Sequence, residues 1–179
     1  QSTVGAVTTA STVTAETGNV EANANGNVTT NGAVQAKQNV SLLSKDGAIT
    51  TGSTVTSTAG DIKAEANGDV TTKGTLSAAQ GAITATSATG NVKVEKEATA
   101  ANDVTLAAEA GNVTVNDAVT STAGNIKAEG NGDVTTSGVL SAVKGAITAT
   151  SAMGNVKVEK EATAANDVTL TAEAGSVTV

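Results

Sequence analysis

The side chains of this 179-residue chain that could do chemistry are carboxylates, amides, hydroxyls and amines. The chain has seven Asp and ten Glu, but no His, Cys, Arg, Pro or aromatic residue. A glycosidase of the usual kind needs two carboxylates that converge in a cleft. Here the carboxylates recur singly at regular intervals, with no long loop between them to shape a cleft. The sequence therefore predicts no catalytic residue, no cofactor and no enzyme activity.

The missing residue types and the net charge exclude further classes of protein. Without Cys or His there is no disulfide framework and no zinc site of the usual kind. The net charge is −7 and the ten lysines are scattered, whereas a nucleic-acid binder needs clustered cations. No apolar run approaches the ~20 residues of a membrane helix. We therefore expect neither nucleic-acid binding nor membrane insertion.

Asn and Asp residues recur beside small apolar residues and allow two interpretations. Their oxygens could bind calcium, or they could form hydrogen bonds at the corners of a repeating fold. The calcium-binding nonapeptide repeat needs a Gly-Gly-x-Gly-x-Asp rhythm, which is missing. Corner hydrogen bonding is therefore the prediction, with no metal ligand among Asn91, Asp103, Asn112, Asp133 and Asp167.

A short charged run occurs twice, as Glu95, Lys96 and Glu97 and again as Glu159, Lys160 and Glu161. It could be a recognition patch or a solvated corner. Runs of alternating sign are usually solvated, so a solvated corner is predicted.

The elements that must position these residues come from internal repeats. The stretch GNVKVEKEATAANDVTL occurs at 90–106 and again at 154–170, a distance of 64 residues. Tripeptides ending in Val or Ile recur with paired gaps that add up to about 21 residues, so 64 residues are three repeats. The segments 55–115 and 119–179 differ at nine of 61 positions, which indicates a duplicated three-repeat block, 55–118 and 119–179. A further column follows the same spacing: Val13, Val34, Val55, Leu76, Ala98, Val119, Leu140 and Ala162.

Within each repeat the apolar residues alternate with polar ones, as in Val92-Lys93-Val94, which predicts short strands with one face inward. Each repeat reads as three short strands joined by corners. Glycines two residues before the marker, such as Gly81 and Gly90, are expected to supply positive φ at those corners. The segment 95–101 contains good helix formers and leaves a helix as the alternative there.

Three short strands bury little alone, but stacked turns form continuous columns. The prediction is an all-β fold, a right-handed parallel β-helix (β-solenoid) with about 21 residues and three short strands per turn, continuous over 1–179. Eight or nine turns at about 4.8 Å each give a rod of roughly 40 Å. Small Ala98 is expected beside larger Val94 and Leu106, so that column volumes compensate. Thr71, Lys93 and Thr105 should point outward, and these residues inward: Val20, Val55, Ile62, Val70, Leu76, Ile83, Val92, Val104, Val113 and Val119.

Phrases such as GNVTTNGAVQA, GDVTTKGTLSAAQGAITATSATGNVKV and NDVTLAAEAGNVTV cover nearly the whole chain. They resemble the haemagglutinin-type repeats of filamentous-haemagglutinin-like exoproteins, adhesins that two-partner secretion systems of Gram-negative bacteria export. The resemblance implies a shaft of a secreted or cell-surface protein, exported through an outer-membrane transporter partner. The family's amino-terminal secretion domain has no counterpart here, and the chain lacks aromatic residues. We therefore interpret the chain as a shaft segment that contacts flanking solenoid turns of a longer parent.

Three functions were weighed for such a rod. The first is a rigid spacer that presents a distal binding domain, through which the parent contacts a host-cell or bacterial receptor. The second is a rod whose own surface adheres to glycans, to cells or to another rod. The third is ice or crystal-surface binding through outward threonines. The column for that third function is Thr29, Thr50, Thr71, Lys93, Thr114, Thr135, Lys157 and Thr178, and its lysines argue against a flat threonine array.

Overall fold

The computed structural model describes residues 5–179 as three parallel sheets of short strands, with no helix in that range. Sheet 1 has nine strands: β1 (Val7–Thr9), β4 (Val28–Thr30), β7 (Ile49–Thr51), β10 (Val70–Thr72), β13 (Val92–Val94), β16 (Val113–Val115), β19 (Val134–Thr136), β22 (Val156–Val158) and β25 (Val177–Thr178). Sheet 2 has eight: β2 (Val13–Ala15), β5 (Val34–Ala36), β8 (Val55–Ser57), β11 (Leu76–Ala78), β14 (Ala98–Ala100), β17 (Val119–Ser121), β20 (Leu140–Ala142) and β23 (Ala162–Ala164). Sheet 3 has eight longer strands: β3 (Val20–Ala24), β6 (Val40–Ser44), β9 (Ile62–Ala66), β12 (Ile83–Ser87), β15 (Val104–Ala108), β18 (Ile126–Gly130), β21 (Ile147–Ser151) and β24 (Val168–Ala172).

Every strand pairs in parallel with its counterpart one turn along the chain. In sheet 3, for example, Ile83 of β12 pairs with Ile62 on one side and with Val104 on the other. Both partners lie 21 residues away in sequence, as the repeat predicted. The chain therefore forms a β-solenoid of eight turns, with a ninth turn begun by β25.

The core is the set of side chains at alternate positions of each strand. The first and third residues of the three-residue strands point inward, as do the first, third and fifth residues of sheet 3. All ten residues predicted to be inward are buried, whereas Thr71, Lys93 and Thr105 are half-buried on the outside. In the last turn, Val168 and Val177 are more exposed because only one neighbouring turn covers them.

Side-chain volumes compensate within a turn, as predicted. Ala98 lies in the same turn as Val94 and Leu106, and all three are at most 1% exposed. In the preceding turn, Leu76 replaces the alanine, and Thr72 and Ala85 occupy the other two places. The larger residue in one column thus accompanies smaller ones in the others, which keeps the interior filled.

The prediction that corner glycines adopt positive φ is wrong, since no glycine described in residues 5–179 has a positive φ. The reason for glycine is close approach between stacked corners. A Cβ at Gly90 would lie 2.5 Å from Oδ1 of Asp69 in the turn before, and one at Gly81 would collide with the carbonyl oxygen of Gly60. Glycine is needed there because a side chain would push adjacent turns apart.

The alternative of a helix over 95–101 is also excluded. Ala98–Ala100 forms β14, and Ala98 pairs with Leu76 and Val119 of the adjacent turns. Tertiary pairing overrides the local helix preference of these alanines, as it often does for short segments.

Candidate functional surface

The Asn and Asp residues at the corners form ladders that run along the rod. At the corner before sheet 1, Oδ1 of Asn91 accepts the backbone N–H of Asn112 at 2.9 Å, and Oδ1 of Asn112 accepts that of Asp133 at 2.6 Å. At the corner before sheet 3, Oδ1 of Asp103 accepts the N–H of Asn125 at 2.7 Å. Corner hydrogen bonding is therefore confirmed for these residues. Asp167 occupies the same corner one turn beyond Ala146.

The ladder explains why these oxygens are not arranged as a metal site. Each Oδ1 faces the backbone of the next turn, and successive residues are separated by a whole turn. Within residues 5–179, no three His, Cys, Asp or Glu side chains come together in a way that could hold a metal ion. The arrangement joins turn to turn along the axis.

Buried serines form a second set of links that the sequence analysis missed. Ser87 Oγ donates to the carbonyl oxygen of Gly68 at 2.8 Å and accepts the N–H of Gly90 at 2.9 Å. Each such serine binds one corner carbonyl of the preceding turn and the glycine three residues later. The signal was present as Ser-x-x-Gly, and the equivalents are Ser44, Ser57, Ser121 and Ser151.

The two charged corners are ion-paired to the neighbouring strand. Lys93 Nζ lies 2.8 Å from Oε1 of Glu95, and the same pair in the second copy, Lys157 and Glu159, lies 2.6 Å apart. The hydrogen bond from Lys93 lowers the pKa of Glu95 below its ordinary value, and Lys157 does the same for Glu159. These carboxylates lie at exposed corners.

The remaining charges of the corner runs follow the same pattern. Glu97 accepts a hydrogen bond from Thr99 Oγ1 at 2.9 Å, and Glu161 accepts one from Thr163 Oγ1 at 2.7 Å. Lys96 and Lys160 are exposed. The geometry is that of a solvated corner, as predicted, with each Glu held locally by a neighbouring residue.

The outward threonines of sheet 1 form a single file. Pairing places Thr71 beside Lys93 and Lys93 beside Thr114, and Thr135 and Thr178 flank Lys157 in the same way. Each strand of sheet 1 turns only its middle residue outward. The lysines interrupt this file, so it presents no continuous array of threonines.

The outer face of sheet 2 is broader, because its ladder continues one residue beyond each strand end. For β20, the Val119 N–H donates to the carbonyl oxygen of Val139, and the Val143 N–H donates to that of Ser121. Residues 139, 141 and 143 therefore face outward together. Repeated in all turns, they form three files: a leading, a central and a trailing file.

The central file carries no charge in any of its eight strands. It consists of Thr14, Gln35, Thr56, Ser77, Thr99, Thr120, Ser141 and Thr163. The leading file consists of Thr12, Ala33, Thr54, Thr75, Glu97, Ala118, Val139 and Glu161, and the trailing file of Glu16, Lys37, Thr58, Ala79, Ala101, Thr122, Val143 and Ala165. We call these three files together the sheet 2 face. Its most apolar part is the exposed pair Val139 and Val143.

Concave features of the surface are open grooves at the corners. One groove after sheet 3 is lined by Glu109, Glu129 and Gly130 among others, and Glu129 is ion-paired with Lys127 at 2.9 Å. Another, lined by Leu43, Lys45 and Glu65 among others, repeats this arrangement near the other end of the rod, and there Glu65 pairs with Lys63. The carboxylates at these grooves take part in repeated surface ion pairs.

Comparisons with protein-family models, with curated proteins and with solved structures find no match to this chain. No helix capable of crossing a lipid bilayer occurs between residues 5 and 179.

Proposed function

We propose that the chain is a segment of the rigid shaft of a bacterial surface adhesin, where it acts as a spacer between the cell and a distal binding domain. In this proposal the parent protein is secreted by a Gram-negative bacterium through an outer-membrane transporter. Its receptor contacts lie in other domains, and this segment contacts the neighbouring turns of the same solenoid. The sequence resemblance and the solenoid fold support the proposal.

The observation that carries the proposal is the seamless junction between the duplicated blocks. Across it, Leu76, Ala98, Val119 and Leu140 succeed one another in unbroken parallel register. Eight of the nine differing positions lie outward or at corners, and the inward exception is Ala66, replaced by Gly130. Adding three turns therefore lengthens the rod and leaves the columns intact, which suits a part selected for length and rigidity.

Deletion of the 64 residues from Val55 to Ala118 tests the spacer. Val119 then follows Thr54 at the place that Val55 occupied, so all ladders should re-form. Small-angle X-ray scattering should show a folded rod that is shorter by about 14 Å, three turns of about 4.8 Å. A matched control removes only 55–86, which is not a whole number of turns. Because that deletion shifts the strands off their columns, the control should not fold.

The same deletion separates the spacer from the adhesive rod. A spacer predicts that the purified 179-residue chain binds poorly to cells and glycan arrays, with or without the block. Strong binding by the intact chain that falls on deletion would contradict the spacer and favour adhesion by the rod surface itself.

A further inference from the structure

We infer that the sheet 2 face is a self-association surface through which two copies of the chain pack side by side, with their axes parallel and in the same direction. The inference rests on the apolar pair, on the distribution of charge and on the symmetry of the three files. It does not depend on the spacer function.

The first argument is the position of the exposed apolar residues. Val139 is 39% exposed and Val143 is 53% exposed, and both flank Ser141 on one strand of this face. Their counterparts in the first copy of the block are Thr75 and Ala79. Two of the nine differences between the copies thus enlarge the apolar surface at the same place. Exposed apolar groups that cluster on a face are typical of an interface.

The second argument is charge. The chain carries −7, and strands of the other two sheets turn charged residues outward, such as Lys93 in sheet 1 and Lys63 and Glu65 in sheet 3. The central file of sheet 2 has none. A face that is free of charge at its centre is the one on which two acidic copies can approach most closely, since the cores of interfaces are depleted of charged residues.

The third argument is symmetry, which selects the partner. A two-fold axis parallel to the rod places each leading residue against the partner's trailing residue of the same turn, and each central residue against itself. Val139 then meets the partner's Val143 twice in each dimer. Under the same operation Glu97 faces Ala101 and Glu161 faces Ala165, so no like charges meet. Small hydroxyl, alanine and valine side chains allow the two sheets to approach to about 10 Å.

The area of the face sets the strength of the interaction. Eight strands about 4.8 Å apart, each presenting about 13 Å of backbone, give about 500 Å² per copy. A stable specific dimer buries about 800 Å² per partner. The dimer is therefore weak and forms at high local concentration, as when many copies stand side by side.

Sedimentation equilibrium tests the inference over about 10 µM to about 1 mM, the range of a weak interface. The wild-type chain should pass from monomer to dimer. The double variant Val139→Thr with Val143→Ala restores the residues of the first copy, so it should fold, and circular dichroism verifies that it does. Its dissociation constant should rise about tenfold, from the apolar area lost at two symmetric contacts.

Met153→Thr is the matched control, because it also restores a first-copy residue and removes an exposed apolar side chain, but at a corner outside the sheet 2 face. It should leave the dissociation constant unchanged. A monomer at every concentration, or equal dimerisation of the wild type and the double variant, overturns the inference. Loss of the dimer in Met153→Thr would assign association to another surface and overturn it as well.

Cysteine trapping tests the arrangement, since the chain has no Cys of its own. Ser141→Cys lies in the central file, faces itself across the two-fold axis and should form a disulfide-linked dimer under mild oxidation. Thr148→Cys, on sheet 3 of the same turn, should remain monomeric. Absence of a trapped Ser141→Cys dimer while the chain still dimerises would show that the parallel arrangement is wrong.

Discussion

Asp69 fastens the next turn at two points: its Oδ1 accepts the backbone N–H of Asn91 at 2.6 Å and the side-chain Nδ2 of Asn91 at 3.1 Å. The link belongs to a ladder that continues through Asn112 and Asp133 to Asn155. Asp69→Ala should lower the free energy of unfolding by about 1 kcal/mol, because the corner is exposed and water replaces part of the bond. Urea denaturation measures the change.

The opposite change is predicted where the ladder has a gap. Ala82 has no side-chain oxygen to offer Asp103, although Asn39 at the equivalent place accepts the N–H of Asp61 at 2.8 Å. Ala82→Asn should therefore raise the free energy of unfolding by about 0.5–1 kcal/mol. If neither substitution shifted the urea midpoint, the ladder would contribute nothing to stability.

Buried hydroxyls give a second prediction. Thr51 is 1% exposed, points inward and has no hydrogen-bond partner for its Oγ1, and Thr30 and Thr136 are in the same state. In the same inward column, Val94 and Val115 show that valine fits. Thr51→Val should raise the free energy of unfolding by about 1–2 kcal/mol, since an unpaired hydroxyl is removed from the core.

The control for Thr51→Val is the residue next to it. Thr50 faces outward, so Thr50→Val should stay within about 0.5 kcal/mol of the wild type. Thermal unfolding followed by circular dichroism compares the two. Destabilisation by Thr51→Val would show that the hydroxyl has a partner, such as a buried water.

The inward and outward assignment gives a third prediction. Ile83 is fully buried in β12, so Ile83→Asp should cost several kcal/mol by burying an unpaired carboxylate. Thr105 of β15 faces outward, and Thr105→Lys should stay within about 0.5 kcal/mol. Similar urea midpoints for the two variants would contradict the assigned faces.

The ion pair of Lys93 with Glu95 gives a prediction about pH. The hydrogen bond from Lys93 lowers the pKa of Glu95 below its ordinary 4.5. The pair's contribution to stability is therefore present above that value and is lost as the pH falls through the lowered pKa. In a carboxyl NMR titration, Lys93→Gln should raise the pKa of Glu95. Lys37→Gln, three turns away, should leave it unchanged, and an equal effect of the two variants would contradict the pairing.

Alternation in the sequence was enough to predict the strands, the turn length and the inward residues. Val92 and Val94 flank outward Lys93 in every respect as expected. The reason for glycine at the corners could not be predicted, because the collision at Gly81 involves a residue of the preceding turn. The links of Ser87 depend on the same stacking of corners. What the sequence lacked was the relation between turns.

The candidate surface was predictable only in part. The single file of sheet 1, with Lys93 and Lys157, followed from alternation and is confirmed. The three files of sheet 2 were missed, because the ladder continues through Val139 and Val143, beyond the ends of the strand that alternation marks. Whether a face has one file or three depends on backbone pairing at its corners, and that pairing is set by the stacked turns.

The direction of the backbone hydrogen bonds has a mechanical consequence. In all three sheets they run from turn to turn, parallel to the rod, so a pull on the chain at one end loads only the outermost turn. Each turn that peels away releases about 70 Å of extended chain from 21 residues, at about 3.4 Å per residue. Turns would detach one after another and absorb work at each step. The same bonds that set the length of the rod thus make it an extensible tether under tension.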